Sequence, residues 1–213
     1  MLARHGKIIQ VFQHRRLREG WGGSSSYRIS ETCEPELLES AAKICEAMRI
    51  HGVCMFEFRC NRADGKWILL EVNARLWGSL PLPVGMGVDF PRALSDLLLD
   101  RPVALPVSYR AGIRSRNTLL DAFNLINAFR SGRIDGVRAG FTAFVDFCAQ
   151  PLWWLIGREH SDSFTMDDPV PGFAEIWDAL KRIARRNTAK QDRRPSDRLT
   201  VNTDRKPILR QGR

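Results

Sequence analysis

The sequence predicts an α+β fold in which an antiparallel sheet packs against helices. Two strand-like runs, residues 53–60 and Trp67–Asn73, flank an Asp64-Gly65 pair. An Asp-Gly pair between two such runs is a strong signal for a β-hairpin. A second observation is the helical repeat of apolar residues between Leu37 and Met48. A third is that helical patterns predominate in residues 106–184, so we expect a mainly helical extension there.

The N-terminal elements are a strand, a loop and a helix. Residues 7–14 (KIIQVFQH) are β-branched and aromatic enough to form one strand, and residues 18–26 (REGWGGSSS) form a glycine- and serine-rich loop. Thr32 is the predicted N-cap of the helix that follows, and Gly52 lies beyond its end. The residues that share the apolar face of this helix are Leu37, Leu38, Ala41, Cys45 and Met48.

The elements after the hairpin are mostly helical. Residues 78–91 are rich in glycine and proline, and residues 92–99 and 119–129 follow as helices. Residues 141–156 form one helix or two packed on the domain, with an interfacial membrane helix as the minor alternative. Residues 173–183 form the last amphipathic helix.

The positive charge of the chain is concentrated at its C-terminus. The net charge is +9, and residues 185–213 hold ten Lys or Arg against three Asp. This segment has almost no apolar periodicity, so we expect a disordered basic tail. We expect the tail to be solvated, and we do not expect nucleic acid as a partner. The alternative is a weak, salt-sensitive contact between the tail and a polyanion.

Several classes of protein do not fit this composition. No apolar run reaches the roughly 18 to 20 residues that cross a bilayer, and the first residues have no apolar core of a secretory signal. The five cysteines are scattered, without the CxxC spacing of a zinc site or the pattern of a disulfide framework. We therefore expect a cytoplasmic protein with no membrane partner.

The chemistry of the hairpin depends on its register. Successive strand residues alternate between faces, so Glu71 and Asn73 share one face of the second strand. A two-residue Asp64-Gly65 turn would set Glu57 opposite Val72. An odd loop, Ala63-Asp64-Gly65 with glycine in the left-handed conformation, would set Glu57 opposite Glu71. We predict the odd loop, with Asn73 as the diagonal neighbour of Glu57.

Two carboxylates and an amide oxygen on one surface are hard ligands of the kind that Mg²⁺ prefers. Arg75 follows Asn73 by two residues on the same strand face, where it can meet an anion held by the metal. The alternative is a solvated sheet face on which Glu57 and Glu71 pair with Arg59 and Arg75.

Residues 51–99 resemble the second nucleotide-binding half of ATP-grasp enzymes. The features that carry the resemblance are an acidic strand residue, a DG turn and a Glu-x-Asn-x-Arg strand end followed by Gly-Ser, with fourteen residues from Glu57 to Glu71. This superfamily includes the carbamoyl-phosphate synthetase large subunit, biotin carboxylase and D-alanine–D-alanine ligase. Ala74 departs from the pattern, since proline is the commoner family residue there, but the ligands are unchanged.

The resemblance implies a fold and a function. It identifies residues 1–105 as the C-terminal lobe of an ATP-grasp domain, followed by the helical extension (106–184) and the tail (185–213). ATP and Mg²⁺, or Mn²⁺, are the implied cofactors, with Glu57, Glu71 and Asn73 as ligands of two metal ions. Arg75 is implied as the catalytic residue that stabilises the transferred phosphoryl group. The implied activity is that of a ligase, which activates a carboxylate as an acyl-phosphate for attack by an amine or similar nucleophile.

The family's N-terminal lobe has no counterpart before Lys7. We expect this lobe to come from an upstream segment or from a separate chain, and a homo-oligomer stays open as the alternative partner. The alternative function is that of a non-catalytic remnant which acts as a binding or interaction module.

Four further residues are weaker candidates for the same site. Arg15 and Arg16 lie beside the glycine-rich loop, where they approach phosphate oxygens or end a solvated strand. His14 is more typical of a surface or core-edge histidine than of a catalytic base. Ser79 fits either a contact with phosphate or substrate, or an ordinary turn that leads into a helix.

Overall fold

The α+β prediction is confirmed by the computed structural model, which describes residues 1–19, 25–61, 63–104, 108–132, 137–165 and 167–191. Nine strands and seven helices lie within these ranges. The chain divides into two compact units, Met1–Phe173 and Ala174–Arg213. All of the strands belong to the first unit.

The first sheet has the strand order β2-β1-β5, and all of its pairs are antiparallel. Its strands are β1 (Leu2–Arg4), β2 (Lys7–Gln10) and β5 (Gly52–Val53). β1 was not predicted, because three residues are too few to show an alternating pattern. The single strand predicted over residues 7–14 is wrong, because β2 ends at Gln10 and Phe12 turns into the core against the Tyr109 ring.

The second sheet has the order β3-β4-β8-β9. Its strands are β3 (Gln13–Glu19), β4 (Ser25–Glu31), β8 (Arg114–Arg116) and β9 (Glu159–Ser161). β8 and β9 are parallel, and the other pairs are antiparallel. Both ends of the loop predicted over residues 18–26 are therefore strand. The remainder of that loop, residues 20–24, lies outside the described residues.

Helix α1 follows β4 in the chain and packs against β2 of the first sheet. It spans Pro35–Ala47, and Leu37, Ala41 and Cys45 are buried. Its N-cap is Glu34 rather than Thr32, since Pro35 occupies the first helical position, and the Glu34 N–H donates to Gln13 Oε1 at 2.8 Å. Met48 is 68% exposed, since the helix has already ended at this residue.

The remaining helices lie close to their predicted positions. The segment predicted as one helix or two is two helices, α5 and α6. An unpredicted short helix, α2, occupies the glycine- and proline-rich segment. The helices are α2 (Pro81–Gly85), α3 (Phe90–Leu98), α4 (Thr118–Arg130), α5 (Val137–Cys148), α6 (Gln150–Leu155) and α7 (Val170–Gln191).

The hydrophobic core lies between the first sheet and helices α2 and α3. It joins residues from the N-terminal strands to residues that follow the Asp64-Gly65 turn, and it includes the aromatic pair Trp77 and Phe90, whose ring centroids are 5.2 Å apart. Its buried members are Leu2, Phe12, Val53, Trp77, Leu82, Val88, Phe90, Ala93, Leu97 and Ile113. The burial of Trp77 in this core fixes the chain just after Asn73, where β7 ends.

Helix α7 extends to Gln191, which is past residue 185, where the disordered tail was predicted to begin. Arginine, alanine, lysine and glutamine favour helices, which accounts for the longer helix. The rest of the tail, residues 192–213, lies outside the described residues. Within the described part of the chain, no helix is both long and apolar enough to span a membrane.

Candidate functional site

The β6–β7 hairpin brings the two predicted carboxylates together. β6 spans Met55–Cys60 and β7 spans Trp67–Asn73. Glu57 pairs directly with Glu71, and Met55 pairs with Asn73, so Asn73 is the diagonal neighbour of Glu57. The predicted juxtaposition of these three side chains is confirmed.

The loop that produces this register is not the predicted one. The Asn61 N–H donates to Lys66 O at 2.7 Å, and the Gly65 N–H donates to Asn61 O at 2.8 Å. The loop therefore has an even number of residues instead of the predicted odd number, although Gly65 has the predicted left-handed conformation (φ +71°). Such a loop alone would set Glu57 opposite Leu70. The register shifts by one residue between Glu57 and Phe58, so Leu70 forms a β-bulge that restores the Glu57–Glu71 pair.

An arginine from β3 neutralises one of the two carboxylates. Arg16 Nη2 donates to Glu57 Oε1 at 2.8 Å, and both side chains are 29% exposed. The Asn73 amide donates to the Glu71 carboxylate. The ion-pair partner of Glu57 is therefore Arg16 on β3, and not Arg59 as in the solvated-face alternative. Arg75 Nη1 donates to Leu76 O at 3.1 Å.

All four predicted site residues line one open cleft, which has a volume of about 1300 Å³. We call it the hairpin cleft. The polar residues that line it include Glu57, Glu71, Asn73, Arg75, Arg16 and Ser79. The structure thus brings the predicted ligands, the predicted catalytic arginine and all four of the weaker candidates to one cavity.

His14 also lines the hairpin cleft, next to Ser79. His14 Nε2 and Ser79 Oγ are 3.1 Å apart and form a hydrogen bond. Burial lowers the pKa of His14 from its usual value to about 3, and the neighbouring cations Arg28 and Arg16 add to this effect. His14 is therefore neutral at physiological pH.

The donor set of the hairpin cleft fits Mg²⁺ by its chemistry. Glu57, Glu71 and Asn73 can supply carboxylate and amide oxygens, which hard cations prefer. Three protein ligands leave room for phosphate and water oxygens in an octahedral shell. Among the residues that the structure describes, no group of three or more His, Cys, Asp and Glu side chains has the arrangement of a metal site. A bound metal would therefore depend on the amide and on oxygens from a ligand.

Sequence reasoning missed a network of buried charges beneath the second sheet. Arg116 is fully buried, and its guanidinium lies 2.8 Å from Glu159, 3.3 Å from Asp121 and 3.2 Å from Asp146. The same guanidinium lies 4.0 Å from the Tyr27 ring centroid, in a cation–π contact. A second buried pair joins Arg28 and Asp162.

The network changes the protonation behaviour of its members. Burial raises the pKa values of Asp121 and Glu159, while Arg18 and Arg116 oppose this for Asp121, and Arg116 does so for Glu159. Burial alone would lower the pKa of Arg116, but the nearby charges of Glu159 and Asp121 outweigh it and raise the pKa. The arginines therefore favour the ionised forms of Asp121 and Glu159 against the effect of burial.

This network also anchors the strand that leads into the hairpin cleft. Arg18 on β3 pairs with Asp121 at 3.1 Å and with Asp146 at 2.9 Å. Arg16 lies two residues earlier on the same strand and contacts Glu57. Asp121 on α4 and Asp146 on α5 therefore fix the part of β3 that carries Arg16.

Comparison with known protein families identifies a match for the N-terminal part of the chain. The family described as "ATP-grasp in the biosynthetic pathway with Ter operon" matches residues 1–119, which is more than half of the chain. The matched segment contains the hairpin, strand β8 and most of the residues that line the hairpin cleft. No curated protein matches the chain.

Proposed function

This chain belongs to the ATP-grasp family, and on that premise we propose that it binds ATP together with Mg²⁺ in the hairpin cleft. Family membership supports nucleotide binding and a ligase-type function. The finer steps are proposals: the metal, the reaction, and the assignment of residues 1–105 to the C-terminal lobe of an ATP-grasp domain.

The observation that carries this proposal is the direct pairing of Glu57 with Glu71, with Asn73 diagonal to Glu57. Two carboxylates at one cross-strand position repel each other unless a cation lies between or beside them. Arg16 neutralises Glu57, whereas Glu71 is exposed and accepts a hydrogen bond from Asn73. The arrangement is therefore suited to a divalent cation that also takes phosphate oxygens.

We propose Arg75 as the residue that stabilises the transferred phosphoryl group. Phosphoryl transfer depends mostly on positioning and on charge neutralisation. Bound Mg²⁺ would supply charge neutralisation at the β- and γ-phosphates. Arg75 is exposed at the rim of the cleft, so its guanidinium can reach a ligand, while Glu57, Glu71 and Asn73 orient the metal.

The proposed reaction is the activation of a carboxylate as an acyl-phosphate, which an amine or similar nucleophile then attacks. ATP-grasp enzymes hold the nucleotide between two lobes, so we propose that the hairpin cleft is the triphosphate side of the site. Contacts with adenine would then come from a second lobe, in the same polypeptide or in a partner.

Calorimetric titration of the full chain with ATP, in Mg²⁺ or in EDTA, tests nucleotide binding. We expect binding that depends on Mg²⁺ and that weakens by about 10- to 100-fold in Glu71→Gln, since supporting groups of metal sites have effects of this size. Glu46→Gln is the matched control, because Glu46 is an exposed carboxylate on α1 outside the cleft. Binding that is equal in Mg²⁺ and EDTA would contradict the metal site.

Hydroxylamine trapping tests the reaction. An acyl-phosphate reacts with hydroxylamine to give a hydroxamate, so a panel of carboxylic acids with ATP and Mg²⁺ should give hydroxamate and ADP in equal amounts for a substrate. The Arg75→Gln variant should bind ATP but form little hydroxamate. Tight ATP binding without hydroxamate from any acid would instead favour the non-catalytic binding module.

A further inference from the structure

The His14–Ser79 pair joins two distant parts of the chain at the hairpin cleft. His14 lies on β3, and Ser79 lies in the turn before α2. The hydrogen bond between His14 Nε2 and Ser79 Oγ spans 65 residues of sequence. Ser79 is only 8% exposed, yet both residues line the cleft beside Arg16. Tertiary packing, rather than local turn geometry, therefore holds this serine.

The pair does not fit an activated nucleophile. A general base works best when its pKa lies near the operating pH. Burial and the neighbouring cations Arg28 and Arg16 bring the pKa of His14 to about 3, so His14 would hold a proton from Ser79 only weakly. What a neutral imidazole does well is to fix the direction of a hydroxyl through a hydrogen bond.

The hydroxyl has one donor and two acceptor positions. In the described part of the chain, the contact of Ser79 Oγ is with His14. If the His14 Nε2–H donates to this oxygen, then the hydroxyl hydrogen is directed away from the imidazole. Arg15 and Arg16 line the same cleft but are paired with Glu31 and Glu57. Arg75 also lines it and donates to the Leu76 carbonyl, so an anionic oxygen of a ligand is the acceptor that the Arg75 cation favours.

We propose that the Ser79 hydroxyl donates a hydrogen bond to an anionic oxygen of the ligand in the hairpin cleft, and that His14 is the positioning residue that holds this hydroxyl. The inference rests on the proposed function, since it assumes that the cleft is the ligand site. The oxygen belongs to a phosphate group or to a carboxylate, and the two sources share the same hydrogen-bond chemistry. The experiment below distinguishes them.

The test compares the affinities of three probes for the full chain and for its variants. The probes are ATP with Mg²⁺, pyrophosphate and the phosphate-free carboxylate glutarate, each titrated by calorimetry. Loss of a hydrogen bond to a charged group should weaken binding by about tenfold to a hundredfold in Ser79→Ala. Ser95→Ala is the matched control, because the Ser95 hydroxyl donates to Pro91 O on α3 and lies outside the cleft.

Variants of His14 separate positioning from general damage to the fold. A glutamine side chain can place its amide N–H near the position of Nε2, so His14→Gln should retain most of the affinity, whereas His14→Ala should weaken it like Ser79→Ala. The double variant His14→Ala/Ser79→Ala should bind the probes no more weakly than Ser79→Ala, because the two substitutions remove the same interaction with the ligand. Thermal unfolding of each variant accompanies the titrations.

Each outcome decides the inference. Weaker binding of ATP and pyrophosphate in Ser79→Ala supports a phosphate oxygen, and weaker binding of glutarate alone supports a carboxylate. Unchanged affinity for all three probes, or additive losses in the double variant, would overturn the inference. Wild-type protein that binds pyrophosphate through Ser79 but does not bind ATP with Mg²⁺ would refute the proposed function and leave the inference standing. Wild-type protein that binds none of the probes would overturn both.

Discussion

Replacing Arg116 with methionine tests whether the buried charges hold the second sheet together. Arg116 is fully buried and ion-paired with three carboxylates. The substitution keeps much of the side-chain volume but removes the charge. Asp121 and Asp146 would retain Arg18 as a partner. Glu159, which is 1% exposed, would lose the cation that pairs with it in the described structure.

The expected cost follows from that unpaired glutamate. Removing one partner of a buried ion pair typically costs about 3 to 5 kcal/mol, because it leaves a buried charge without compensation. For a chain of this size, such a loss lowers the midpoint of thermal unfolding by roughly 6 to 20 °C. Adding Glu159→Gln should recover at least about 1 kcal/mol, because the double variant no longer buries an unpaired charge.

The same variant should depend on pH in a defined direction. Burial raises the pKa of Glu159 in the folded state, and Arg116 opposes that effect. Without Arg116, the folded pKa rises further above the unfolded value. The folded state then binds more protons than the unfolded state, so the free energy of unfolding falls as pH rises. The deficit of Arg116→Met relative to wild type should therefore be smaller at pH 5 than at pH 8.

Urea unfolding followed by far-ultraviolet circular dichroism measures these free energies. The control is Lys43→Met, which breaks an exposed pair with Glu39 at 2.7 Å on α1. Exposed pairs contribute at most about 1 kcal/mol, so the control should change little. A loss below about 1 kcal/mol in Arg116→Met, or no recovery on adding Glu159→Gln, would refute the reasoning.

Two further predictions concern the hairpin and its arginine. Gly65→Ala should cost about 1 to 2 kcal/mol in urea unfolding, because Gly65 has φ +71° and open space around a Cβ, so the cost is backbone strain alone. Gly78→Ala, which also has open space but no positive φ, should stay within about 0.5 kcal/mol; equal losses would contradict this explanation. Arg16→Gln should strengthen Mn²⁺ binding without nucleotide by about two- to fivefold, since Arg16 competes with a metal for Glu57. Weaker Mn²⁺ binding in a calorimetric titration would show that Arg16 supports the metal site instead.

The hairpin was predictable because its signals are local. The Asp64-Gly65 pair marks the turn, and strand alternation sets Glu71 and Asn73 on one face. The bulge at Leu70 was not predictable, because Leu69 and Leu70 carry the same side chain, and nothing in the pattern shows which of them lies outside the pairing. The register was therefore correct, although the loop that was expected to produce it was wrong.

The buried network and the histidine pair were not predictable for a different reason. Arg116 and Glu159 lie 43 residues apart on strands of three residues, which are too short to show an alternating pattern. His14 and Ser79 lie 65 residues apart, and each looked like an ordinary polar residue in its own segment. The pairing of β8 with β9 brings Arg116 and Glu159 together, and the packing of α2 against the second sheet brings Ser79 to His14.

Mn²⁺ binding in the presence of ATP tests the central claim most directly. The electron paramagnetic resonance signal of free Mn²⁺, compared with that of the same ATP solution without protein, reports how much metal the full chain takes up, and Mn²⁺ replaces Mg²⁺ at oxygen-ligand sites. We predict that wild-type protein and Glu46→Gln bind Mn²⁺ together with ATP, and that Glu57→Gln/Glu71→Gln loses most of this uptake. Uptake by the folded double variant equal to that of wild type would contradict the assignment of Glu57 and Glu71 as metal ligands.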